Sequence, residues 1–100
     1  MSNENENALT FVLIARILPD GVEAFRAYED QVLPLLAEHG GRLQRRLRNE
    51  AGTLEVHIVS YPSDAAHHSY RSDPRRAAAT HLLETSGASA ELLSLRDVSK

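Results

Sequence analysis

The chain has 100 residues, of which 42% are hydrophobic and 25% charged, values that are typical of one globular domain. It contains no cysteine, which excludes disulfides and thiolate chemistry, and its formal net charge of −3 argues against a nucleic-acid-binding surface. The longest apolar run, FVLIA at 11–15, is far too short to cross a bilayer, so no membrane association is predicted.

The first predicted strand follows a polar N-terminal segment. Residues 1–7, MSNENEN, have neither the basic nor the apolar region of a signal peptide, so we expect a disordered tail on a cytoplasmic protein. Residues 8–100 then form a single domain. The segment LTFVLIARIL, Leu9 to Leu18, is rich in β-branched residues and apolar on both faces. It is predicted to be a central strand that needs cover on both sides.

A helix is predicted over residues 21–39. Apolar residues recur along it at helical spacing, and Asp20 followed by Glu23 has the spacing of a capping box. Pro34 is expected to kink the helix or to separate its last turn, because proline cannot donate the helical hydrogen bond. The glycine pair at 40–41 is expected to end it.

A hairpin follows, with strands at 42–49 and 53–61 joined by the turn NEAG. In the first strand the alternation places Leu43, Arg45 and Leu47 on one face, opposite Arg42, Gln44, Arg46 and Arg48. In the second strand the residues expected to pack on the helices are Leu54, Val56 and Ile58. Those expected on the opposite face are Glu55, His57, Val59 and Tyr61.

A second helical region is predicted in two parts, at 64–71 and 74–85. Ser63 or Asp64 is expected to cap the first part, because short polar side chains accept hydrogen bonds from free N–H groups at helix starts. Asp73 is expected to cap the second, with proline at its first helical position.

With a last strand predicted at 90–98, the element order is β-α-β-β-α-β, that of a ferredoxin-like α+β fold with an antiparallel sheet. Two helices cover only one face of such a sheet. A homodimer with two sheets packed face to face, as in a dimeric α/β barrel, would cover the other. The apolar residues expected at that interface are Val12, Ile14, Val59 and Leu92.

Two segments carry a family resemblance. The runs PLLAEHGGRLQRR (34–46) and HIVSYPSDAAHHSYRSDP (57–74) resemble the small bacterial proteins of the domain of unknown function family 1330, in the dimeric α/β-barrel superfamily. The resemblance implies a βαββαβ subunit that dimerises through its sheets. It implies no single reaction, although the wider superfamily includes cofactor-free monooxygenases, haem-degrading enzymes and lactone isomerases. The family tends to place an aromatic residue two positions after the proline of the helix break, where this chain has Arg76.

Polar residues on otherwise apolar sheet faces are the candidates for a ligand site. His57 is the candidate catalytic residue, because a half-buried imidazole can act as a general base or bind an anion. Arg16, Arg46 and Tyr61 are the candidate ligand-binding residues. His57 is expected to point into the space between the sheet and its partner, and Arg16 is expected to point inward as well.

Two functions remain open at this point. One is the binding or transformation of a small anionic or aromatic metabolite without a cofactor, in a monooxygenase-like or isomerase-like reaction. The pocket would lie between helices and sheet or between the two sheets of the dimer. The alternative is a structural or regulatory dimer, in which the inward polar residues form a fully paired network and leave no cavity.

Other kinds of site find no support in the sequence. The adjacent His67 and His68 diverge by about 100° on a helix, so no metal site is predicted. The run RLQRRLR at 42–48 lacks interleaved aromatic residues, so no nucleic-acid partner is predicted. No nucleophile elbow marks a Ser-His-Asp site, and no glycine-rich loop is suited to phosphate.

Overall fold

A computed structural model describes residues 8–98 of the chain. The disordered tail predicted for residues 1–7 lies outside the described residues. The strands are β1 (Leu9–Arg16), β2 (Arg42–Arg48), β3 (Leu54–Tyr61) and β4 (Ser89–Leu95). The helices are α1 (Val22–Val32), α2 (Leu35–Glu38), α3 (Asp64–Arg71) and α4 (Pro74–Ser86). Within 8–98, no helix is long and apolar enough to span a membrane.

The four strands form one antiparallel sheet in the order β2-β3-β1-β4. In the central strand β1, Leu13 lies opposite His57 of β3 on one side and Leu92 of β4 on the other. The first helical region, α1 and α2, and the second, α3 and α4, pack on the same face of the sheet. This is the α+β ferredoxin-like fold that the element order predicted.

The first helical region is divided by Pro34 into α1 and α2, as predicted. Gly40 follows α2 with φ +78°, a left-handed conformation that glycine adopts at little cost. The predicted capping box is wrong. Pro19–Gly21 form a 3-10 turn that places Gly21 at the start of α1, and no side-chain cap is formed there.

The starts of α3 and α4 are capped as predicted. The backbone N–H of Ala66 donates to Ser63 Oγ at 3.1 Å, and the backbone N–H of Arg75 donates to Asp73 Oδ1 at 2.8 Å. These bonds satisfy donors that have no partner inside the helix.

The face of β3 that packs on the helices is the reverse of the predicted one. The buried residues are Glu55, His57, Val59 and Tyr61. The half-buried or exposed residues of the other face are Leu54, Val56 and Ile58. The prediction failed because it placed the more apolar set inward, whereas buried charges are tolerated when other elements supply their partners. Val59 and Leu92 likewise line the helix side of the sheet, not the predicted interface.

An irregularity in β2 shifts its alternation. The register with β3 is interrupted between Leu43 and Arg45, so Gln44 is the extra residue of a β-bulge. Arg46 therefore lies on the helix side together with Leu43, while Leu47 lies on the other face. The predicted grouping of Leu43 with Leu47 is wrong for this reason.

The buried core consists of two clusters on the helix side of the sheet. The larger cluster contains Phe11, Leu35, Leu36, Val59, Tyr61 and Tyr70. The smaller contains Ala15, Ile17 and Phe25. Leu13 lies on β1 between Phe11 and Ala15, yet it is only half-buried, because a cavity separates the two clusters.

The opposite side of the sheet, which we term the open face, has no helix over it among the described residues. Its apolar side chains are Val12, Ile14, Leu47, Leu54, Val56, Ile58, Leu93 and Leu95. Leu47 and Leu95 are exposed, and a continuous apolar patch of this kind is typical of an interaction surface.

Candidate functional site

A cavity of about 350 Å³ lies between the sheet and the helices. This volume is near the lower end of the range for small-molecule sites, about 300–1,000 Å³. Its apolar lining consists of Phe11, Leu13, Ala15, Phe25, Val32, Leu33, Leu36, Val59, Leu83, Ala90 and Leu92. Its polar lining consists of Tyr28, Glu29, His57, Tyr61, His67, Tyr70, Arg71 and Arg76. An apolar chamber with a few convergent polar groups is the usual form of a site for an organic ligand.

A cluster of paired charges adjoins this cavity. His57 Nε2 lies 2.7 Å from Glu55 Oε1 and 2.9 Å from Glu29 Oε2. Arg46 donates from Nη2 to Glu29 Oε1 at 2.7 Å and from Nε to Glu55 Oε1 at 2.8 Å. Arg48 Nε donates to Glu55 Oε2 at 2.9 Å. The side chains of Glu29 and Glu55 are only 2% and 1% exposed, so these contacts replace the water that both carboxylates lose.

One oxygen of this cluster is left without a donor. The His57 N–H is directed at Glu55 Oε1, and Glu29 Oε2 has no hydrogen-bond partner among the described residues despite its short distance to His57. Glu29 lines the cavity. A buried acceptor without a partner is rare in proteins, so the hydrogen-bonding capacity of this oxygen is unused.

The protonation of the cluster follows from burial and pairing. Burial raises the pKa of Glu29, and the Glu55 carboxylate raises it further against the opposing effect of His57. Burial alone would raise the pKa of Glu55, but its contacts with Glu29, His57 and Arg46 hold it well below its usual range. Burial alone would lower the pKa of His57, but its contacts with Glu29 and Glu55 raise it. Glu55 is therefore held as an anion, and the raised pKa values favour the protonated forms of Glu29 and His57, the two groups of the cluster that can gain or lose a proton.

Glu29, Glu55 and His57 also have the spacing of a metal ligand set, since one ligand atom from each lies within 4.8 Å of the others. Arginines already contact three of the four carboxylate oxygens and supply two positive charges. A divalent ion would have to displace Arg46 and would add charge to a buried site that is already neutralised. The donor set therefore fits a proton-exchanging cluster better than a metal centre.

Arg76 provides a second polar region of the cavity wall. Its guanidinium carbon lies 4.6 Å from the centre of the Tyr70 ring, and its Nη2 donates to the Tyr28 hydroxyl at 3.1 Å. Its Nε is buried and has no hydrogen-bond partner among the described residues.

Aromatic rings stack along the same wall. The His67 ring lies 4.3 Å from the Phe11 ring and 4.8 Å from the Tyr61 ring, measured between centroids. Burial lowers the pKa of His67, and the charges of Arg71 and Arg76 lower it further against the effect of nearby Asp64. Burial raises the pKa of Tyr61 to about 12, so its phenol remains protonated at neutral pH.

Three of the four predicted site residues lie on one side of the sheet. His57 and Arg46 meet in the charged cluster, and Tyr61 lines the same cavity. The expected direction of His57 toward a partner sheet is wrong, because β3 buries the opposite face. Arg16 lies on the open face, where its side chain is 63% exposed and 3.9 Å from Glu91. The structure therefore separates Arg16 from the other three.

Three residues of this region were not predicted as site residues from the sequence: the two acids, Glu29 and Glu55, and Arg76. A signal for Glu29 was present, since it lies four positions after Phe25 and three before Val32, within the apolar stripe of α1. Glu55 was placed correctly beside His57 but on the wrong side of the sheet. Arg76 was marked only as a departure from the pattern of a related family.

A separate cluster ties together the ends of α2, α3 and α4. His39 Nδ1 lies 2.6 Å from Ser69 Oγ, and His39 Nε2 lies 2.8 Å from Asp73 Oδ2. The sequence marked no such Ser-His-Asp arrangement. Asp73 also caps α4 and accepts hydrogen bonds from the Arg75 side chain, and none of these residues lines the cavity. We assign the cluster to anchoring the helix break.

Comparison with known proteins gives structural relatives only. No protein-family model matches the chain, and no curated protein matches it. The resemblance to the domain of unknown function family 1330 therefore remains a prediction.

Three solved structures illustrate the likeness. A protein of Mycobacterium tuberculosis is 21% identical with a TM-score of 0.74, over 94% of this chain and 98% of that one. The cofactor-independent oxygenase SnoaB from Streptomyces nogalater is 15% identical with a TM-score of 0.75, over 94% and 96%. A Bacteroides thetaiotaomicron protein assigned as an antibiotic biosynthesis monooxygenase is 16% identical with a TM-score of 0.77, over 95% and 93%. At these identities the likeness establishes the shared fold.

Proposed function

We propose that this protein binds a small aromatic metabolite in the cavity and oxygenates it without a cofactor. The observation that carries the proposal is the position of Glu29 and His57, a buried carboxylate and a buried imidazole 2.9 Å apart, on the wall of an apolar cavity. SnoaB, which has the same fold, is a cofactor-independent oxygenase, and this supports the proposed reaction class. The sequence also offers no glycine-rich loop for the phosphate of a nucleotide cofactor.

The proposed roles follow from the geometry. Without a cofactor, the substrate itself must reduce oxygen, and it does so most readily as an anion. Glu29 Oε2 accepts the proton of a phenol or an activated C–H group, since a carboxylate with a raised pKa is a better base. The His57 imidazolium stabilises the resulting anion. Arg46 and Glu55 position these two groups.

A hydroxyarene shows how the reaction balances. Oxygen converts 1-naphthol to 1,4-naphthoquinone and water: one O–H and one C–H bond break, and one carbonyl bond to oxygen forms. The second oxygen atom leaves as water, and all four electrons come from the substrate. Tyr61 and the rings of Phe11 and His67 packed around it hold the aromatic substrate.

We further propose that two subunits pair through their open faces into a dimeric α/β barrel, as in the family 1330 resemblance, and that the protein is cytoplasmic. The alternative of a purely structural dimer predicts paired inward polar groups and no cavity. The charged cluster is largely paired, but the cavity lined by His57 counts against that alternative.

The test is a thermal-shift screen of hydroxynaphthalenes, naphthoquinones and lactones, followed by oxygen uptake with 1-naphthol. We expect at least one compound to stabilise the protein, and Glu29→Gln or His57→Asn to lower oxygen uptake about 100-fold while ligand stabilisation persists. His81→Asn, at an exposed position of α4, is the control. The proposal fails if no compound stabilises the wild type or if Glu29→Gln keeps full uptake.

A further inference from the structure

Two arginines on the helix side of the sheet differ in how their charge is compensated. Arg46 contacts two carboxylates within 2.8 Å. Arg76, which is also partly buried, has no carboxylate within 4.0 Å among residues 8–98; its neighbours are the neutral Tyr28 and Tyr70. A partly buried cation without a counter-ion is costly, and a polar N–H without an acceptor adds to that cost.

The contacts of Arg76 leave one edge of its guanidinium available. The guanidinium carbon lies over the Tyr70 ring, and Nη2 donates to the Tyr28 hydroxyl. Nε and Nη2 lie on the same edge of the guanidinium and form a two-nitrogen fork, and the buried Nε has no hydrogen-bond partner among residues 8–98. Such a fork matches the two oxygens of a carboxylate, and the contact with the Tyr70 ring restricts its orientation.

The charges around the cavity favour an anion at this place. Arg71 also lines the cavity, and it forms no salt bridge among the described residues. The nearest acidic residue in sequence, Asp73, is already bound by Arg75 and His39. Among residues 8–98 the only carboxylate lining the cavity is Glu29, so the wall near Arg76 attracts an acid group and the wall near Glu29 repels it.

We propose that Arg76 is the anchor for a carboxylate-bearing aromatic ligand. The inference rests on the proposed function, because it names the substrate class of the same cavity: an aromatic acid whose carboxylate lies on the Nε–Nη2 edge of Arg76. The ring then fills the apolar chamber, and its reactive position points away from Arg76 toward Glu29 and His57.

The experiment compares two ligands of nearly equal shape, 2-naphthoate and the uncharged 2-naphthamide. Their naphthalene fluorescence can be excited at wavelengths longer than those that tyrosine absorbs, and the chain contains no tryptophan. Titrations are done in oxygen-free buffer with the wild type, Arg76→Gln, Arg76→Lys and Arg26→Gln. Arg26 is exposed on α1 and serves as the matched control.

We expect the wild type to bind naphthoate at least tenfold more tightly than naphthamide. Arg76→Gln should remove this preference while its affinity for naphthamide stays within twofold, which also shows that the variant is folded. Arg76→Lys should keep part of the preference, since it retains the charge without the fork, and Arg26→Gln should keep all of it.

Equal wild-type affinities, a preference that survives Arg76→Gln, or no binding of either probe would each overturn the proposal. Because no oxygen is present, the result is independent of turnover. A naphthoate preference without oxygen uptake would refute the oxygenase function and leave the anchor in place. Oxygen uptake without a naphthoate preference would refute the carboxylate anchor and leave the oxygenase function in place.

Discussion

Glu29 occupies a position in the α1 stripe where its neighbours in the helix face, Phe25 and Val32, are apolar and buried. An acid at such a position is tolerated because β2 and β3 supply Arg46 and His57 as partners. The periodicity of α1 predicts that residue 29 is buried, but not what compensates its charge. Those partners come from strands that are distant in sequence, so only the folded sheet identifies them.

Arg46 is expected to be a stabilising residue as well as a positioning one. Arg46→Met leaves Glu29 and Glu55 without their shared cation, and we expect a loss of about 2–3 kcal/mol in the free energy of unfolding. This is less than the about 3–5 kcal/mol of a fully buried pair, since Arg46 is 34% exposed and Arg48 remains. Urea unfolding measures the difference.

The control for that variant is Arg26→Met on the exposed side of α1, which should change stability by less than about 0.5 kcal/mol. Equal effects of the two substitutions would mean that the cluster contributes nothing beyond an ordinary surface arginine.

Stability should fall as the pH rises from 6 to 9. His57 has a raised pKa in the folded state, so its contribution is complete below the unfolded value of about 6.5 and is lost as the pH rises through the folded value. The raised pKa of Glu29 acts in the same direction. Glu55, with a lowered pKa, contributes throughout this range and loses its contribution only in strong acid. Urea midpoints at the two pH values test this.

The dependence should be reduced in His57→Gln and kept in His81→Gln, whose histidine is exposed on α4. A midpoint that rises toward pH 9 in the wild type would contradict the assigned protonation states.

Among the elements, β3 shows what the alternation of side chains along a strand can predict. It correctly sorts Glu55 and His57 into one set and Val56 and Ile58 into the other. It does not say which set faces the helices, because that depends on partners from other elements. The sequence of elements along the chain, the break at Pro34 and the caps of α3 and α4 depend on local signals, and the sequence predicts them correctly. The bulge at Gln44 has no comparable local signal.

Alanine substitutions at two glycines next to helices test two different causes of lost stability. An added Cβ at Gly21 would lie 2.7 Å from the carbonyl carbon of Ser86, so Gly21→Ala should cost about 3 kcal/mol by forcing the start of α1 away from the end of α4. At Gly40 the nearest atom would be Pro62 Cγ at 3.4 Å, and the cost of about 1 kcal/mol comes from the positive φ alone. Thermal unfolding of both variants gives the comparison. A larger loss at Gly40 would contradict the close packing of α1 and α4.

At the scale of the whole molecule, the sheet presents two different surfaces. The helix side encloses the cavity and the charged cluster, while the open face carries apolar residues such as Ile14, Val56 and Leu93 with no cover from residues 8–98. The sequence predicts this division, since one pair of helical regions covers only one face. It leaves open whether a pocket lies between the helices and the sheet or between two sheets, because that depends on how the elements pack in the folded chain.

The open face predicts a dimer in solution. Light scattering after gel filtration should give twice the mass of one chain, and Ile14→Glu should give a monomer, because a charge at the centre of the apolar face would be buried without a partner. The monomer should keep the ligand preference, since the cavity lies on the other side. A monomeric wild type would contradict the pairing of open faces.

The most direct test of the account is to locate a bound ligand by methyl NMR during a titration with 1-naphthol. Leu36 and Val59 line the cavity, whereas Val56 and Leu93 lie on the open face. We predict that the methyl signals of Leu36 and Val59 shift in a saturable way and that those of Val56 and Leu93 do not. Shifts confined to Val56 and Leu93, or no shifts at all, would contradict a ligand site beneath the helices.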